Sequence, residues 1–485
     1  MIDALIWVIA LPLAAALASV IFSGLAGVIG VISAVATATA AAAVLWLVAT
    51  EGPLRYAIGG WPPELAITLQ ADGLSALLLL MNTLVALAAS VYASAYFSQS
   101  EQRRYYWALW LLLMTALNAL FLAADLFNLY VALELLGLSA VALTALGGKR
   151  AALQAAMGYL MLGLIGSLAF LAGVALLYAG YGTLDMAVLA GRITPDLTAW
   201  TAASLMTAGL LIKTALFPLH SWLPPAHANA PAPVSAALSA LVVKAPFYLI
   251  LRLWLDLFVP IATPGVGYLL GLLGAAAVLW GSWNALHAER LKLLAAYSTV
   301  AQIGYLFLFL PLVLQSSEGM SQNAAFGGLV LLALTHGFAK SALFLAAGVI
   351  QHRAGHDRIR ELDGTVQVLP ASTFALALAG IALIGLPPSG AFLGKWQLIA
   401  GALSAGLWLW VAVVLAGSLL AAAYVFRLLG HVFGQARYPS HAISIGREEI
   451  PALGLGLVAT VILGLASAPI WPLLERTVRL AGITA

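Results

Sequence analysis

Residues 211–252 read LIKTALFPLHSWLPPAHANAPAPVSAALSALVVKAPFYLILR, two apolar runs separated by a proline-rich break. Neither run alternates polar and apolar residues as the strands of an outer-membrane barrel do. Only helices and closed barrels cross lipid, because every backbone polar group must find its partner within the protein. We therefore interpret this stretch as a membrane helix interrupted in mid-membrane, followed by a second membrane helix.

The rest of the chain has the same character. Hydrophobic residues make up 63% of the 485 positions and charged residues only 8%, and the mean hydropathy is +1.04. A soluble domain has about 25% charged residues, and one bilayer crossing takes about 20 apolar residues. These values predict an all-α polytopic membrane protein. Asp3 stands where a cleaved signal peptide would have basic residues, so the first apolar run is predicted to be a retained helix.

Composition also excludes several function classes. The chain has no cysteine, so we expect no disulfide, no thiolate metal site and no cysteine-ligated iron–sulfur cluster. Its histidines stand in no HExxH or cysteine-rich context, so no metal site and no cofactor is predicted. A net charge of +3 is too small to indicate nucleic acid. Any electron chemistry is expected in another subunit.

Dividing the apolar runs at polar or Pro/Gly-rich breaks predicts fourteen helices. They lie near residues 2–22, 25–50, 74–97, 105–123, 126–146, 152–180, 198–218, 232–256, 264–286, 293–315, 324–350, 370–402, 408–433 and 450–472.

Basic residues are distributed unequally between alternate loops, and cytoplasmic loops are the ones enriched in Lys and Arg. Odd-numbered loops hold eleven of them and the even-numbered loops and tails five. The first set is Arg103, Arg104, Lys149, Arg150, Arg290, Lys292, Arg353, Arg358, Arg360, Arg437 and Arg447, and the second is Arg55, Arg192, Arg252, Arg476 and Arg479. We therefore predict a multi-pass protein of the cell (inner or plasma) membrane with both termini on the outer, periplasmic side.

Two predicted helices share a mid-membrane break. The seventh breaks at FPLHSWLPPAH (217–227) and the twelfth at GLPPSG (385–390). Matching broken helices in two halves of a transporter indicate repeats around an intramembrane site, although ordinary proline kinks are the alternative.

The two breaks suggest a division of the chain. We predict three N-terminal helices in 1–100, two inverted five-helix repeats in 101–260 (helices 4–8) and 261–435 (helices 9–13), and a loop with helix 14 in 436–485. Each break then falls in the fourth helix of its repeat.

The five remaining basic residues lie inside predicted spans. They are Lys213, Lys244, Lys340, Lys395 and Arg427. Four lysines at the bilayer centre would cost roughly 10–14 kcal/mol on the insertion scale unless they are hydrated or paired, which indicates function. Glu134, about nine residues into the fifth helix, is the natural partner of Lys213. Moving such a pair apart could load or release a proton, whereas a static buried ion pair is the alternative.

Further residues extend this pair into a row. Lys244 is too deep in its helix to reach the interface easily, and the following Pro246 would loosen the helix. His336 and Lys340 lie at i and i+4 on one face, and imidazole titrates near neutral pH. With Lys395, which follows the second break, they predict a lateral proton pathway of Glu134, Lys213, Lys244, His336, Lys340 and Lys395.

Other residues are assigned gating or structural roles. His220, His227, Pro218, Pro387 and Pro388 are candidate gating residues at the breaks, although a role in positioning the loops explains the histidines equally well. Asp125 suits a helix cap, and Arg427 is expected to pair or to extend to the interface.

The motifs resemble those of the proton-conducting membrane transporter family, the antiporter-like subunits of respiratory complex I, membrane-bound hydrogenases and Mrp sodium/proton antiporters. Besides 211–252, the matching stretches are DLFNLYVALELLGLSA (125–140), KLLAAYSTVAQIGY (292–305) and GLPPSGAFLGKW (385–396). The resemblance implies a fourteen-helix inverted-repeat fold. It also implies that Glu134, Lys213, Lys244 and Lys395 are the family's buried acid and bases.

Two details refine the resemblance. A lysine at 395 looks more like the Mrp D-type subunit than like relatives with glutamate there. Before helix 10 many relatives read Asp-x-Lys-Arg, whereas this chain has Glu289, Arg290, Leu291 and Lys292, which puts only a local salt bridge in doubt.

The resulting hypothesis is a transporter subunit and not an enzyme. It would move protons along the row in an Mrp-type Na+(K+)/H+ antiporter, with other membrane subunits and the bilayer as partners. The alternative is a proton-pumping membrane subunit of a complex I-like oxidoreductase or membrane-bound hydrogenase. A scaffold without transport and a partner in bicarbonate uptake are minor alternatives. Sodium prefers several oxygen ligands, whereas this core offers mainly amines, one deep carboxylate and backbone carbonyls, so its site is expected largely in another subunit.

Overall fold

A computed structural model describes residues 3–60, 67–97, 101–314, 319–435 and 446–474, and helices dominate this part of the chain. The α-helices are α1 (Asp3–Ile21), α2 (Ala26–Glu51), α3 (Gly73–Tyr96), α4 (Arg103–Leu122), α5 (Leu126–Ala145), α6 (Arg150–Tyr181), α7 (Met186–Ala190), α8 (Leu197–Thr214), α9 (Leu223–Asn229), α10 (Ala232–Ala237), α11 (Lys244–Arg252), α12 (Pro264–His287), α13 (Leu291–Phe307), α14 (Leu310–Val313), α15 (Gly319–Ala354), α16 (Thr365–Val368), α17 (Pro370–Ile384), α18 (Gly390–Ser404), α19 (Trp408–Val432), α20 (Ile450–Leu457) and α21 (Leu463–Leu465). The strands β1 (Leu54–Ile58) and β2 (Ile67–Ala71) form an antiparallel hairpin with Leu54 opposite Ala71.

Eleven of the described helical segments are long and apolar enough to cross a membrane. The predicted polytopic helical fold is therefore confirmed. The other three predicted spans contain α8, α17 with α18, and the helical segment Ile450–Leu465, which are shorter or divided. Both predicted breaks are present, one between Thr214 and Leu223 and one between Ile384 and Gly390. The number fourteen and the inverted repeats remain predictions.

Loop contacts define two opposite faces of the helical bundle. On the hairpin face, the Ala124 N–H donates to Thr68 O (3.0 Å) and the Leu126 N–H to Leu184 O (3.0 Å). On the opposite, basic face, Arg103 donates to Gly24 O (2.6 Å) and Arg290 to Ala228 O (3.3 Å). The loops predicted to be cytoplasmic thus meet on the basic face, although Arg437, Arg476 and Arg479 lie outside the described residues.

Three segments at the centre are shielded from lipid. In the most apolar stretch of each helix, all residues of Ala232–Leu257 and Gln322–Ala354 and 89% of those of Leu291–Val313 are buried. In α1 and α6 only 33% of these residues are buried. Lys244, His336 and Lys340 lie on the buried segments. Polar groups are placed there because lipid would leave them unsatisfied.

Two features differ from the expectations drawn from the sequence. The hairpin interrupts an otherwise helical chain. Arg252, counted above with the loops, lies in helix α11 and pairs with Asp72 (2.6 Å) and Asp256 (3.1 Å). Its side chain is only 12% exposed, because two carboxylates compensate its burial.

Candidate functional site

Glu134 on α5 and Lys213 in the last turn of α8 form an ion pair. The Lys213 Nζ donates to Glu134 Oε1 over 3.3 Å. The Ser167 hydroxyl of α6 donates to the same oxygen. The side chains of Glu134 and Lys213 are 22% and 9% exposed, so three helices hold a partly exposed carboxylate against a nearly buried amine.

Close packing of α6 and α8 positions this pair. A Cβ on Gly166 would lie 2.7 Å from Gly209 O and 3.3 Å from the Lys213 Cγ, and a Cβ on Gly209 would lie 2.3 Å from Gly166 O. Only glycine at both positions allows this approach, as at small-residue interfaces of membrane helices. The contact brings Ser167 and Lys213 to the same carboxylate.

The first break begins directly after Lys213. Ala215 ends α8 in the left-handed region with φ of 57°, a conformation that is costly for alanine. His220 stacks on Phe217 at 5.5 Å and meets Trp280 of α12 edge-on at 4.2 Å. The break thus connects the Lys213 helix to a helix of the second predicted repeat.

A polar network at the centre joins Lys244 to Lys340. Lys244 is 1% exposed, and its Nζ donates to Ala240 O (2.7 Å) and lies 3.5 Å from Ser239 O. The hydroxyls of Ser239 and Thr299 are 2.7 Å apart. Ala295 O accepts from Thr299 (3.0 Å) and from Lys340 Nζ (2.9 Å). The two lysines are therefore linked through one serine, one threonine and two carbonyl groups.

The backbone next to Lys244 is irregular. Residues Leu238–Val242 form a π-helical turn between α10 and α11. Such turns concentrate at functional sites, and Pro246 has no N–H to donate to the Val242 carbonyl. The carbonyls of this turn are the ones that Lys244 contacts.

Two buried histidines lie beside these lysines. His336 is 2% exposed and interacts electrostatically with Lys244 and Lys340. His227 is 0% exposed, stacks on Phe344 at 4.8 Å and interacts with Lys340 and Lys292. Within the described part of the chain, neither ring nitrogen of either histidine has a hydrogen-bond partner. Since buried polar groups are rarely left unpaired, water is expected at both rings.

Lys395 lies at the second break. Its Nζ donates to Ile384 O (2.9 Å) and Ser418 Oγ (3.0 Å) and lies 4.1 Å from the centre of the Tyr305 ring. Ile384 is the last residue of α17, so the ammonium group occupies the negative end of a helix dipole. The break therefore provides the Ile384 carbonyl, and α19 the Ser418 hydroxyl, as oxygen ligands of a lysine that is 4% exposed.

The side chains of α13 connect Lys340 to Lys395. Ser298 accepts a hydrogen bond from Lys340, and Gln302, one turn later, donates to Leu383 O (2.8 Å). Lys395 Nζ lies 3.5 Å from the same Leu383 O. The buried Tyr424, whose hydroxyl makes no hydrogen bond among the described residues, lies near Ser298 and Gln302. Polar groups thus run from the central lysine to the second break.

Gly385 offers a test of this geometry. It has a φ of +83°, and an added Cβ would lie 2.8 Å from the Lys395 Cδ, so Gly385→Ala should displace Lys395 and reduce transport severalfold. Gly406→Ala is the matched control, since Gly406 has a φ of +70° with nothing within 4 Å. Transport by assembled variants measures the difference. Equal losses in both would assign the effect to backbone strain alone.

The structure separates Lys213 from Lys244. A cavity of ≈ 420 Å³, including its open mouth, is lined on one side by Glu134, Ser167 and Lys213. Its lining also includes Val242 and Pro246, the residues two positions before and after Lys244 in the sequence. No direct hydrogen bond joins the two lysines among the described residues. Water in this cavity would have to complete a pathway at this point.

The remaining sequence candidates have structural positions outside the row. Asp125 caps α5 by accepting from the Asn128 N–H (2.8 Å), and its pKa is raised by burial. Arg427 donates to Ala288 O, and Lys292 to Ala230 O. Arg290 pairs with Asp357 (2.9 Å). Pro218, Pro387 and Pro388 are exposed on the bundle surface.

Sequence reasoning missed the neutral members of the network, Ser167, Ser239, Ser298, Thr299 and Gln302. Ser298, Gln302 and Tyr305 stand at i, i+4 and i+7, so they share a face of α13. This polar stripe in an apolar span was the available signal. Together the residues present alternating bases and hydroxyl or carbonyl groups, an arrangement suited to moving protons and not to covalent chemistry.

Comparison with known proteins gives consistent matches. The family model described as NADH:quinone oxidoreductase/Mrp antiporter, TM, matches residues 123–421. The N-type subunit of the NADH-quinone oxidoreductase of Desulforudis audaxviator is 38% identical over 390 residues, 79% of this chain and 75% of that protein. The D-type subunit of the Na(+)/H(+) antiporter of Bacillus subtilis is 28% identical over 466 residues, 94% of this chain and 90% of that protein.

A solved structure confirms the fold. A chain of the Mrp complex from Dietzia sp. DQ12-45-1b superimposes with a TM-score of 0.90 at 24% identity, over 99% of this chain and 98% of that chain. The family resemblance stated from the motifs is thereby confirmed by independent matches in sequence and in structure.

Proposed function

Because the chain belongs to the NADH:quinone oxidoreductase/Mrp antiporter transmembrane family, we propose that it conducts protons as the D-type component of a multisubunit Mrp cation/proton antiporter. The observation that carries this proposal is the polar network from Lys244 through Lys340 to Lys395, with the Glu134–Lys213 pair at its other end. In a scaffold without transport, the free-energy cost of burying these ionisable groups would have no functional explanation.

Protons move in steps between groups that can change their protonation state. Glu134 controls the protonation of Lys213, because a nearby carboxylate favours the ammonium form and removal of the carboxylate disfavours it. A proton released there would pass through water to Lys244, then through the central hydroxyls and intervening water to Lys340 and on to Lys395. His336 lies beside the middle step and can share the proton. His220, His227 and the break prolines would gate access.

The proposed orientation places the basic face in the cytoplasm and both termini and the hairpin on the outer side of the cell membrane. This assignment rests on the excess of Lys and Arg in the loops of that face. Other membrane subunits of the complex are the proposed partners. Sodium, if it is the exchanged cation, would bind largely outside this chain, because amines do not ligate hard cations.

A redox-driven pump is the second candidate function. It is favoured by the 38% identity to an NADH-quinone oxidoreductase subunit, whereas the match to the antiporter protein of Bacillus subtilis covers more of the chain, 94% against 79%. In that case electron transfer in partner subunits would drive the same proton pathway.

Vesicles that contain the intact complex would distinguish the two functions. We expect added Na+ or K+ to dissipate an imposed proton gradient without any electron donor. Proton movement that requires an electron donor and is indifferent to both cations would contradict the antiporter and support the redox pump. The purified chain alone in liposomes is the control for the cation site, and sodium transport by it would contradict a site in another subunit.

A further inference from the structure

A line of polar residues leaves the central row toward the hairpin face. Lys244, Tyr248, Arg252 and Asp256 follow one another at intervals of four residues, so they share one side of the helical segment Ala232–Leu257. The twelve residues from Lys244 to Asp256 span about 18 Å at 1.5 Å each. This is roughly half of a 30 Å hydrocarbon core, enough to reach from its centre to its edge.

The outer part of this line is a connected network. Tyr248 donates to Phe121 O (3.1 Å) and accepts from Arg252 Nε (2.9 Å). Arg252 pairs with Asp72 (2.6 Å), the cap of α3, and with Asp256 (3.1 Å). The Asp256 side chain is 31% exposed whereas that of Asp72 is 4% exposed. The network therefore opens to the surface at Asp256.

A cavity bridges the inner part. Lys244 and Tyr248 both line a small cavity whose other walls include Leu74, Leu78 and Leu251. Apolar walls disfavour permanent hydration, and such constrictions open and close by wetting and drying. A water that enters would lie beside the side chains of both Lys244 and Tyr248.

We propose that this line, named here the outer branch, is a gated outlet through which Lys244 exchanges its proton with the hairpin face. The proposal rests on the proposed proton conduction and adds an exit at the middle of the row. The proton leaves the Lys244 ammonium, which becomes a neutral amine, and passes by water to the Tyr248 hydroxyl oxygen. The hydroxyl releases its own proton through a second water to the Asp256 carboxylate. Arg252 stays charged throughout, since guanidinium does not deprotonate, and positions both carboxylates.

Among the residues that the structure describes, few charged groups face Asp256. They are Arg252 on its own helix and Asp72 at the start of α3. The short helix α7 also packs against this end, and its capping Asp185 is already paired with Arg55 (2.6 Å). Protonation of Asp256 therefore depends mainly on Arg252, Asp72 and the solution at the hairpin face.

Exchange in vesicles of the intact complex, with the pH set independently on each side, tests the outer branch. Tyr248→Phe removes only the hydroxyl, and we expect a roughly ten- to hundredfold slower exchange, because the Arg252 donor and a pathway water lose their partner. Asp256→Asn should change the dependence on pH at the hairpin face and leave that at the basic face unchanged. Tyr106→Phe is the matched control, a fully buried tyrosine of α4 whose hydroxyl has no partner among the described residues.

The outcomes separate this proposal from the proposed function. Wild-type exchange in Tyr248→Phe and Asp256→Asn, with exchange abolished in Lys213→Ala, would overturn the outer branch and leave proton conduction standing. Slower exchange without any side-specific change of pH dependence would also overturn it, since a structural ion pair explains that result. Full exchange in Lys213→Ala would contradict the proposed function itself.

Thiol accessibility gives a second test that does not depend on transport. The chain has no cysteine, so Leu78→Cys places a single thiol of this chain in the cavity wall. An impermeant methanethiosulfonate should label it from the hairpin face and not from the basic face. Leu117→Cys, at a buried position of α4, is the control that should stay unlabelled. Absence of labelling at Leu78→Cys from the hairpin face would overturn the outlet.

Discussion

Exchange of protons for cations should fall by roughly a hundredfold or more when Glu134 is replaced by glutamine. The amide can keep a hydrogen bond with Ser167 but carries no charge, so Lys213 loses its counter-ion over 3.3 Å. Breaking a buried pair costs about 3–5 kcal/mol, and the 22% exposure of Glu134 favours the lower end. Each 1.4 kcal/mol is about tenfold in rate.

Initial rates of exchange in vesicles at matched expression would measure this effect. Glu361→Gln is the control, because Glu361 also belongs to an ion pair, with Arg358 (3.1 Å), but at an exposed site. The double variant Glu134→Gln with Lys213→Met should be no slower than either single variant, since both residues act in one step. Unimpaired exchange in Glu134→Gln would reduce the pair to a static structural contact.

Charged residues of the site could be predicted from the sequence because a charge in an apolar run is conspicuous and costly. Lys244 and Lys340 stand alone in such runs, and both are buried in the fold. The pairing of Glu134 with Lys213 required only that two opposite charges lie at similar depth. For these residues, a charge within an apolar run is enough to predict a buried position, because leaving that charge in lipid would be costly.

Neutral residues of the network were not predictable in the same way. Ser239 and Thr299 are ordinary in membrane helices, because such hydroxyls usually bond to their own backbone. Their role depends on the contact between Ser239 and Thr299 across two helices, 60 positions apart in sequence. A pattern along one chain segment carries no information about which segment faces it.

The hairpin and the position of Arg252 were missed for related reasons. Strands β1 and β2 have only five residues each, too short for alternation to be distinguished from a loop. Arg252 was counted with the loop residues although it lies within the predicted helix 232–256. Asp72, which holds it inside the fold, lies 180 positions earlier, so tertiary contact decides its environment.

Lys395→Arg should abolish exchange even though the variant keeps its positive charge. Proton transfer through this position needs a base that can lose its proton, and guanidinium cannot do so in a protein. Lys395→Met, which keeps a similar shape without charge, should be equally inactive. Arginine can still donate to the Ile384 carbonyl and the Ser418 hydroxyl, which lie 2.9 and 3.0 Å from the Lys395 Nζ. Comparison of the two variants therefore shows whether this position must titrate or needs only a positive charge.

The assay is cation-driven proton exchange in vesicles of assembled complex, with assembly and thermal stability checked for each variant. Lys149→Arg is the matched control, since Lys149 is exposed in the loop before α6 and should tolerate the change. Activity in Lys395→Arg together with inactivity in Lys395→Met would mean that a fixed positive charge is sufficient at the second break. Protons would then have to bypass Lys395 by way of water molecules alone. The ammonium group of Lys395 would affect them only through its electrostatic field.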